Sequence, residues 1–253
     1  LVLHNRVMRW STRFAMRRAL SGFDAVVCVS HYVARDLSRR SGIAIDHFGV
    51  VHPTVPGQHR DPSESETSGA PIDVLFVGRV AREKGVVDLL KAMRHVPGAR
   101  LTIVGGAWFR DLGRLSKYEQ RARRLGDRLS TPATFTGPLP PAEVEELRNR
   151  ALVTVVPSRW SEPFGLTVLE AMRSHSAVIA TRAGGIPEIA SLGGVLLVPR
   201  RRPRALASAI RGLLCDSQAR LDNSVDGIEG TNFRTWTSVY AEMTQVSTRD
   251  RLR

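Results

Sequence analysis

Short apolar runs and longer amphipathic segments alternate along most of the chain. The apolar runs are rich in β-branched residues, which is typical of strands that are buried on both faces. They predict strands at Ala25–Ser30, Gly49–His52, Asp73–Val77, Leu101–Val104, Thr134–Thr136, Leu152–Val156, Val178–Thr181 and Val195–Val198.

Apolar positions at helical spacing fill the intervals between these runs. They predict helices at Tyr32–Arg40, Gly85–His95, Leu112–Arg128, Ala142–Arg150, Gly165–Ser174, Ile186–Ser191, Arg204–Leu214 and Phe233–Val246. Strands that alternate with helices in this way indicate an α/β protein with a doubly wound parallel sheet, covered by helices on both faces.

A segment rich in Pro, Gly, Ser, Glu and Asp, residues 56–71, has the composition of a linker and divides the chain. We expect residues 72–230 to form one complete Rossmann-like domain. Residues 1–55 are predicted to be the end of another such domain, and residues 231–253 a final helix and tail. The chain opens on a strand-like segment without an upstream partner, so we expect an amino-terminal portion to be missing.

The formal net charge is +13, and arginine supplies almost all of the positive charge. Three of the 37 cationic residues are lysines, so the other 34 are arginines. They are dispersed through every segment, which favours solvated faces over a nucleic-acid surface, and no nucleic-acid reader motif is present. The densest cluster, Arg200–Arg204, could contact anionic lipid headgroups at a membrane surface.

Hydropathy and cysteine content argue against a membrane-spanning protein, a disulfide-rich protein and a zinc-binding protein. No stretch approaches the roughly 18 to 20 apolar residues that span a bilayer. Cys28 and Cys215 lie far apart in dissimilar contexts, and they form neither a disulfide framework nor a zinc-binding spacing. We therefore expect a reducing, cytoplasmic setting, with Cys28 as a small buried apolar residue.

Two cations follow the strand that ends at Gly78. Arg79 and Lys84 lie in one loop just before a helix, where they could bind a pair of phosphates. The alternative is two solvated loop cations. The loop does not match G-x-x-x-x-G-K-[ST], which disfavours an ordinary P-loop hydrolase.

Two glutamates bracket the start of a later helix. Glu162 belongs to the loop after a strand, and Glu170 lies about two turns into the helix at ~3.6 residues per turn. The loop after a strand lies at the carboxyl edge of the sheet, where open α/β sheets bind ligands. The alternative is a pair of exposed acids favoured by the helix dipole.

Two glycine pairs follow predicted strands at Gly105–Gly106 and Gly184–Gly185. Either pair allows a ligand to approach the backbone closely, and the amides of the second pair could face an anion. The alternative for each is a tight turn. The first pair lacks the third glycine of a dinucleotide-binding fingerprint.

Three groups of residues together resemble a known family. They are Phe76-Val77-Gly78-Arg79 with Lys84-Gly85, then Pro157-Ser158 with Glu162-Pro163-Phe164-Gly165-Leu166 and Glu170-Ala171-Met172, then Gly184-Gly185-Ile186-Pro187-Glu188. In order and spacing they are similar to the retaining family 4 glycosyltransferases of the GT-B fold, from about Phe23 to Tyr240. The resemblance implies two Rossmann-like domains that face each other across a cleft, with residues 1–55 on the acceptor side.

The resemblance implies specific roles for individual residues. Arg79 and Lys84 would clamp the donor diphosphate, Glu162 would face the donor sugar, and Glu170 would accept hydrogen bonds from the ribose. His4 resembles a histidine that reaches the donor sugar, although a capping or surface role is an equal alternative. The implied catalytic residues are Glu162, Arg79, Lys84 and His4, and the implied donor-binding residues are Gly78, Arg79, Lys84, Gly137, Leu139, Glu162, Phe164, Gly165, Leu166 and Glu170.

The implied reaction is transfer of a sugar from a donor such as a UDP- or GDP-sugar to an acceptor hydroxyl, with retention of configuration. It needs no cofactor and no metal ion, and it takes place in the cytoplasm or at the inner face of the membrane. The acceptor could be a glycan, a lipid or a small molecule. Two alternatives stay open: an inactive donor-binding remnant that lacks its acceptor domain, and a basic module that binds nucleic acid or a membrane surface.

The sequence departs from the family pattern at three places. His52-Pro53 stands where the family has Asn-Gly, and Ser174–Ala177 replaces a small-Gly-x-Pro turn. Arg202 stands where an aspartate commonly caps a helix, so we expect a weaker cap there.

Overall fold

A computed structural model describes most of the chain, in segments separated by short gaps. These segments are residues 13–23, 26–55, 70–106, 115–174, 176–231 and 236–249. The chain divides into two units, Leu1–Pro56 with Arg234–Arg253, and Gly57–Phe233.

The first unit contains a small βαβ motif. Two parallel strands pair with Val26 beside Phe48, and a helix crosses between them. The Ser30 side chain begins that helix by accepting a hydrogen bond from the Val33 amide. Burial in the small core of this unit raises the pKa of the Cys28 thiol, as expected for an apolar environment. The elements are α1 (13–20), β1 (Val26–Cys28), α2 (His31–Ser41) and β2 (Phe48–Val50).

The second unit is built on a parallel sheet of six strands. The strands are β3 (Ile72–Val77), β4 (Leu101–Val104), β5 (Thr134–Gly137), β6 (Ala151–Val156), β7 (Ala177–Thr181) and β8 (Val195–Val198). Their spatial order is β5-β4-β3-β6-β7-β8, so the order of connection reverses between β3 and β6. Ligands bind open α/β sheets at such a reversal, beyond the carboxyl ends of the strands. The predicted strand positions are confirmed to within two residues.

Helices cover both faces of this sheet, which confirms the predicted α/β fold class. Helices α3 and α8 pack on one face over a core that includes Leu89, Ile103 and Ile210, each fully buried. On the other face α5 covers Leu75 and Ala151. The helices are α3 (Val86–Met93), α4 (Lys117–Gly126), α5 (Pro141–Asn149), α6 (Leu166–Met172), α7 (Ile186–Ala190), α8 (Pro203–Cys215) and α9 (Ser217–Thr231).

Helix α9 was not predicted, because its sequence has few apolar positions and includes two glycines. Tertiary contacts hold it instead. Asp216 caps it by accepting a hydrogen bond from the Ala219 amide (2.9 Å), and Asn223 Oδ1 accepts one from the Val178 amide of β7 (2.7 Å). The prediction for α4 was also wrong at its start, since Ser116 caps a helix that begins at Lys117.

The last helix, α10 (Trp236–Arg249), belongs to the first unit and contacts β1. Most of the predicted linker lies outside the described residues. None of the helices in the described segments combines the length and the apolar character that a membrane crossing requires.

The loops that follow the two central strands, β3 and β6, lie in direct backbone contact. Gly85, which opens α3, has φ +76°, and a Cβ atom there would lie 1.9 Å from the Pro157 carbonyl oxygen at the end of β6. Only glycine fits both the backbone conformation and the space. The contact fixes the residue before Gly85, which is Lys84, beside the loop that carries Glu162.

A buried ion pair joins the same two loops. Arg159, in the loop after β6, donates from Nε to Asp88 Oδ2 on α3 (2.6 Å) and from Nη2 to Oδ1. These hydrogen bonds raise the pKa of the Arg159 guanidinium. The Arg159 amide also donates to the Glu83 carbonyl (2.7 Å). Side chain and backbone therefore hold this loop against α3 and the turn that precedes it.

We predict that Gly85→Ala destabilises the protein far more than Gly98→Ala. Both glycines have φ near +80°, but nothing lies within 4 Å of a Cβ at Gly98. The control therefore carries only the backbone cost of about 1–2 kcal/mol, whereas Gly85→Ala must also push the two loops apart. Urea unfolding measures the difference, and equal losses would contradict the required close approach.

We predict that Asp88→Ala lowers the free energy of unfolding by about 3 kcal/mol, because it leaves the Arg159 guanidinium partly buried without its partner. The matched control is Glu146→Ala, which removes a carboxylate that is 55% exposed from its i,i+4 pair with Arg150 on the same unit, whereas Asp88 is 7% exposed in its pair. Its cost should be about 0.5 kcal/mol. Urea unfolding of both variants checks this. A loss for Asp88→Ala as small as that of the control would show that the bridge does not hold the loop.

Candidate functional site

An ion pair between Lys84 and Glu162 lies where the two central loops meet. Lys84 Nζ lies 2.8 Å from Glu162 Oε1, and the Ser158 hydroxyl donates to the same oxygen at 2.6 Å. The Glu162 residue is only 5% exposed. The structure thus brings together two of the predicted site residues that are 78 positions apart in sequence.

The loop that carries Glu162 is held by β7 and by the turn after it. Thr181 Oγ1 donates to the Ser158 carbonyl (2.7 Å), and the Gly185 amide donates to the Glu162 carbonyl (2.8 Å). A Cβ at Gly184 would lie 2.0 Å from that same carbonyl oxygen. The idea that the second glycine pair presents its amides to an anion is therefore wrong for Gly185, whose amide is already bonded. This pair serves the packing of the Glu162 loop.

Arg79 is oriented by an acid that the sequence reasoning did not single out. Its Nη2 lies 3.0 Å from Glu83 Oε1, four residues along the same loop, and each side chain is about one-third exposed. The carbonyl of Glu83 is the acceptor for Arg159 described above. In a helix, a cation and an acid four residues apart face each other, so this spacing predicts an ion pair. In a loop the same spacing does not predict a contact.

Glu170 pairs with Arg148 of α5 through a short hydrogen bond from Nη2 to Oε2. Arg148 is buried, while about a third of the Glu170 side chain is exposed. Glu170 is therefore held in place by a buried cation and still faces solvent. Arg148 was missed, because nothing in its local sequence distinguishes it from the many exposed arginines.

Three glycines hold the ends of β3, β4 and β5 together. The Gly105 amide donates to the Gly137 carbonyl (2.8 Å), and a Cβ at Gly105 would lie 2.1 Å from the Gly78 carbonyl oxygen. The close approach predicted for Gly105 is thus to backbone. Leu139 packs against the small core beside Ile72.

The residues that open α6 are placed differently from one another. Phe164 is buried, Gly165 adopts φ +112° against Ile186, and Leu166 is 42% exposed. His4 lies outside the described residues.

A cavity of about 300 Å³ adjoins the Lys84 loop. Lys84 Nζ lies 5.7 Å from the centroid of the Trp160 ring, within the range of a cation–π interaction. Trp160 was not predicted to belong to the site, since an isolated tryptophan in a loop carries no pattern. The cavity is lined by Arg82, Glu83, Arg159, Trp160 and Arg201.

The arrangement can bind a negatively charged group at the reversal point of the sheet. Arg79 and Lys84 are cations held in fixed positions by Glu83 and Glu162, so little reorganisation is needed when an anion arrives. These residues are contributed by two adjacent strand-end loops rather than by one motif.

Comparison with known proteins identifies the family. A family model described as "Glycosyl transferases group 1" matches residues 58–225. The chain is 28% identical over 251 residues to a D-inositol 3-phosphate glycosyltransferase of Corynebacterium glutamicum, covering 92% of this chain and 59% of that protein. It is 31% identical over 248 residues to an alpha-maltose-1-phosphate synthase of Mycolicibacterium smegmatis, covering 88% of this chain and 61% of that protein. The chain thus spans less than two thirds of the length of these relatives.

Solved structures share the fold. A glycosyltransferase from Rickettsia africae superposes with a TM-score of 0.76 at 21% identity, covering 91% of this chain and 64% of that one. HepE from Anabaena, in complex with UDP and glucose, gives a TM-score of 0.75 at 18% identity, covering 89% and 63%. Both are GT-B enzymes. The match over most of the chain, on the fold that the motifs implied, shows that this protein belongs to the group 1 glycosyltransferases.

Proposed function

We propose that the whole protein transfers a sugar from a nucleoside-diphosphate sugar to an acceptor hydroxyl, and that the second unit holds the donor. The observation that carries the proposal is the pairing of Lys84 with buried Glu162 at the carboxyl edge of the sheet. Arg79, held by Glu83, lies in the same loop as Lys84. Two positioned cations beside an acid match the two parts of such a donor, its diphosphate and its sugar.

The chemistry of the donor explains why the cations are held in advance. When the glycosidic bond breaks, negative charge develops on the leaving diphosphate. Arg79 and Lys84 are already held in position, so they would stabilise this charge without the energetic cost of reorganisation. Removing one such contact in other enzymes costs about 2.7–4 kcal/mol of activation free energy.

Glu162 would face the donor sugar. Both of the hydrogen bonds that its carboxylate accepts in the described part of the chain, from Ser158 and Lys84, fall on Oε1. Oε2 therefore remains available to accept from a sugar hydroxyl. The resemblance assigns the amides of Phe164, Gly165 and Leu166 to the same end of the donor.

Glu170 would bind the ribose. Arg148 fixes one carboxylate oxygen, and the exposed part of the side chain can accept from vicinal hydroxyls. The strand-end glycines Gly78 and Gly137, together with Leu139, would lie toward the base.

The relatives support a nucleotide-sugar donor. HepE has been solved with UDP and with UDP-glucose, which favours a uridine nucleotide here as well. Retention of configuration, independence of metal ions and a cytoplasmic location complete the proposal. The location is supported by the two free cysteines, one buried and one exposed. Relatives named as sugar-transferring enzymes favour activity over an inactive remnant.

We predict that isothermal titration of the chain with UDP and GDP shows binding that Lys84→Ala weakens about 10- to 100-fold, the loss of one charge-assisted contact to the diphosphate. Lys117→Ala is the matched control, because Lys117 is an exposed lysine at the start of α4. It should leave the affinity unchanged.

The same titration tests the ribose contact. Glu170→Gln should weaken binding about tenfold, while Glu143→Gln, an exposed glutamate on α5, should have no effect. Circular dichroism verifies that each variant is folded. Absence of binding to either diphosphate by the folded wild-type chain would overturn the donor site.

A further inference from the structure

A second cavity, of about 690 Å³, lies between the end of α3 and the loop that leads from β8 into α8. None of the residues that line it is acidic. They are Lys91, Arg94, His95, Pro199, Arg201, Arg202, Pro203, Arg204 and Ala205. The Lys84–Glu162 pair does not contribute to it.

The five cations around this cavity differ from those of the donor site in having no acidic partner. Arg79, Lys84 and Arg159 each pair with a carboxylate. Over the described segments of the chain, no ion pair is formed by Lys91, Arg94, Arg201, Arg202 or Arg204. Uncompensated like charges around one concave surface repel each other and focus a positive potential into it.

The start of α8 adds to this potential. The helix is 13 residues long, and its first residue is Pro203. The residue at its N-cap, Arg202, makes no side-chain capping bond, as predicted from its sequence. Cations are unfavourable at a helix amino terminus, whereas an anion there is stabilised. The arrangement therefore costs stability as it stands and would gain it from a bound anion.

Arg201 has an unusual backbone for its residue type. Its φ is +57°, which makes it the single non-glycine residue with positive φ in the described segments. Glycine would fit this conformation without strain. Arg201 lines both this cavity and the smaller one beside Trp160. Residues in such conformations cluster at ligand-binding and active sites.

We propose that this cavity binds a ligand that carries a phosphate monoester or diphosphate group. Five unpaired cations and a helix amino terminus match the charge of such a group, and the volume exceeds what a bare phosphate needs. The group could belong to a soluble phosphate ester or to the headgroup of a phosphorylated lipid. The site goes beyond the proposed donor site and does not depend on it.

Titration with inorganic pyrophosphate tests the site. Lys91→Gln with Arg204→Gln removes two of its cations, while Arg121→Gln with Arg124→Gln removes the same charge from exposed positions of α4. The first pair should weaken one binding event by about tenfold or more, and the control pair should not. Lys84→Ala reports separately on the donor site, so failure of either site is recognised independently. Equal effects of the two pairs, or no effect of the first, would overturn the proposal.

Vesicle sedimentation distinguishes the two sources of the phosphate. Wild type and both double variants are mixed with phosphatidylcholine vesicles with and without phosphatidate. If the first pair lowers both pyrophosphate affinity and phosphatidate-dependent sedimentation, the ligand is a lipid headgroup. If it lowers pyrophosphate affinity alone, the ligand is soluble. Loss of sedimentation with unchanged pyrophosphate affinity would indicate a diffuse basic surface and contradict a built site.

Discussion

The backbone contact between Gly85 and Pro157 is the constraint on which the rest of the site depends. The parallel pairing of β3 and β6 brings the two loops to the same edge of the sheet, but a side chain at position 85 would hold them apart. With glycine there, Lys84 reaches Glu162 and Arg159 reaches Asp88. The site is therefore a product of sheet topology and of one position that tolerates no side chain.

Buried charge makes this junction rigid. Removing a carboxylate from water costs several kcal/mol unless it is paired. Loss of the cationic partner of Asp88 or Glu162 would therefore destabilise the fold. In the Arg148–Glu170 pair the buried partner is the cation, and burial likewise makes an unpaired guanidinium costly. The cations around the larger cavity show the opposite arrangement, since they are exposed and have no acidic partner. The chain thus carries two kinds of basic region. Around Lys84 the positive charges are paired with carboxylates of the chain, whereas around the larger cavity they have no acidic partner in the described segments.

Much of the fold and part of the candidate site could be predicted from sequence, and physical reasons explain why the other features could not. Apolar runs located the strands of the described segments, because the central strands of the parallel sheet are buried on both faces and leave a continuous apolar signal. The Lys84 and Glu162 motifs lie on two loops that the structure brings into contact, and the roles assigned to them stay predictions. Helix α9, Arg148 and Trp160 were missed, since each depends on contacts with residues distant in sequence. Glu83 was missed because its partner, Arg79, lies four residues away in a loop, where such spacing does not predict a contact. The glycine pairs were found, but their partners turned out to be backbone carbonyls, which no local pattern distinguishes from a ligand.

The most direct test of the central claim is a crystal structure of the protein with a bound nucleoside diphosphate. Donor binding between the two central loops predicts phosphate oxygens within about 3.2 Å of Lys84 Nζ. It also predicts that the ribose hydroxyls contact Glu170. A nucleotide bound elsewhere, with the Lys84–Glu162 pair unchanged and in contact with solvent alone, would contradict the assignment.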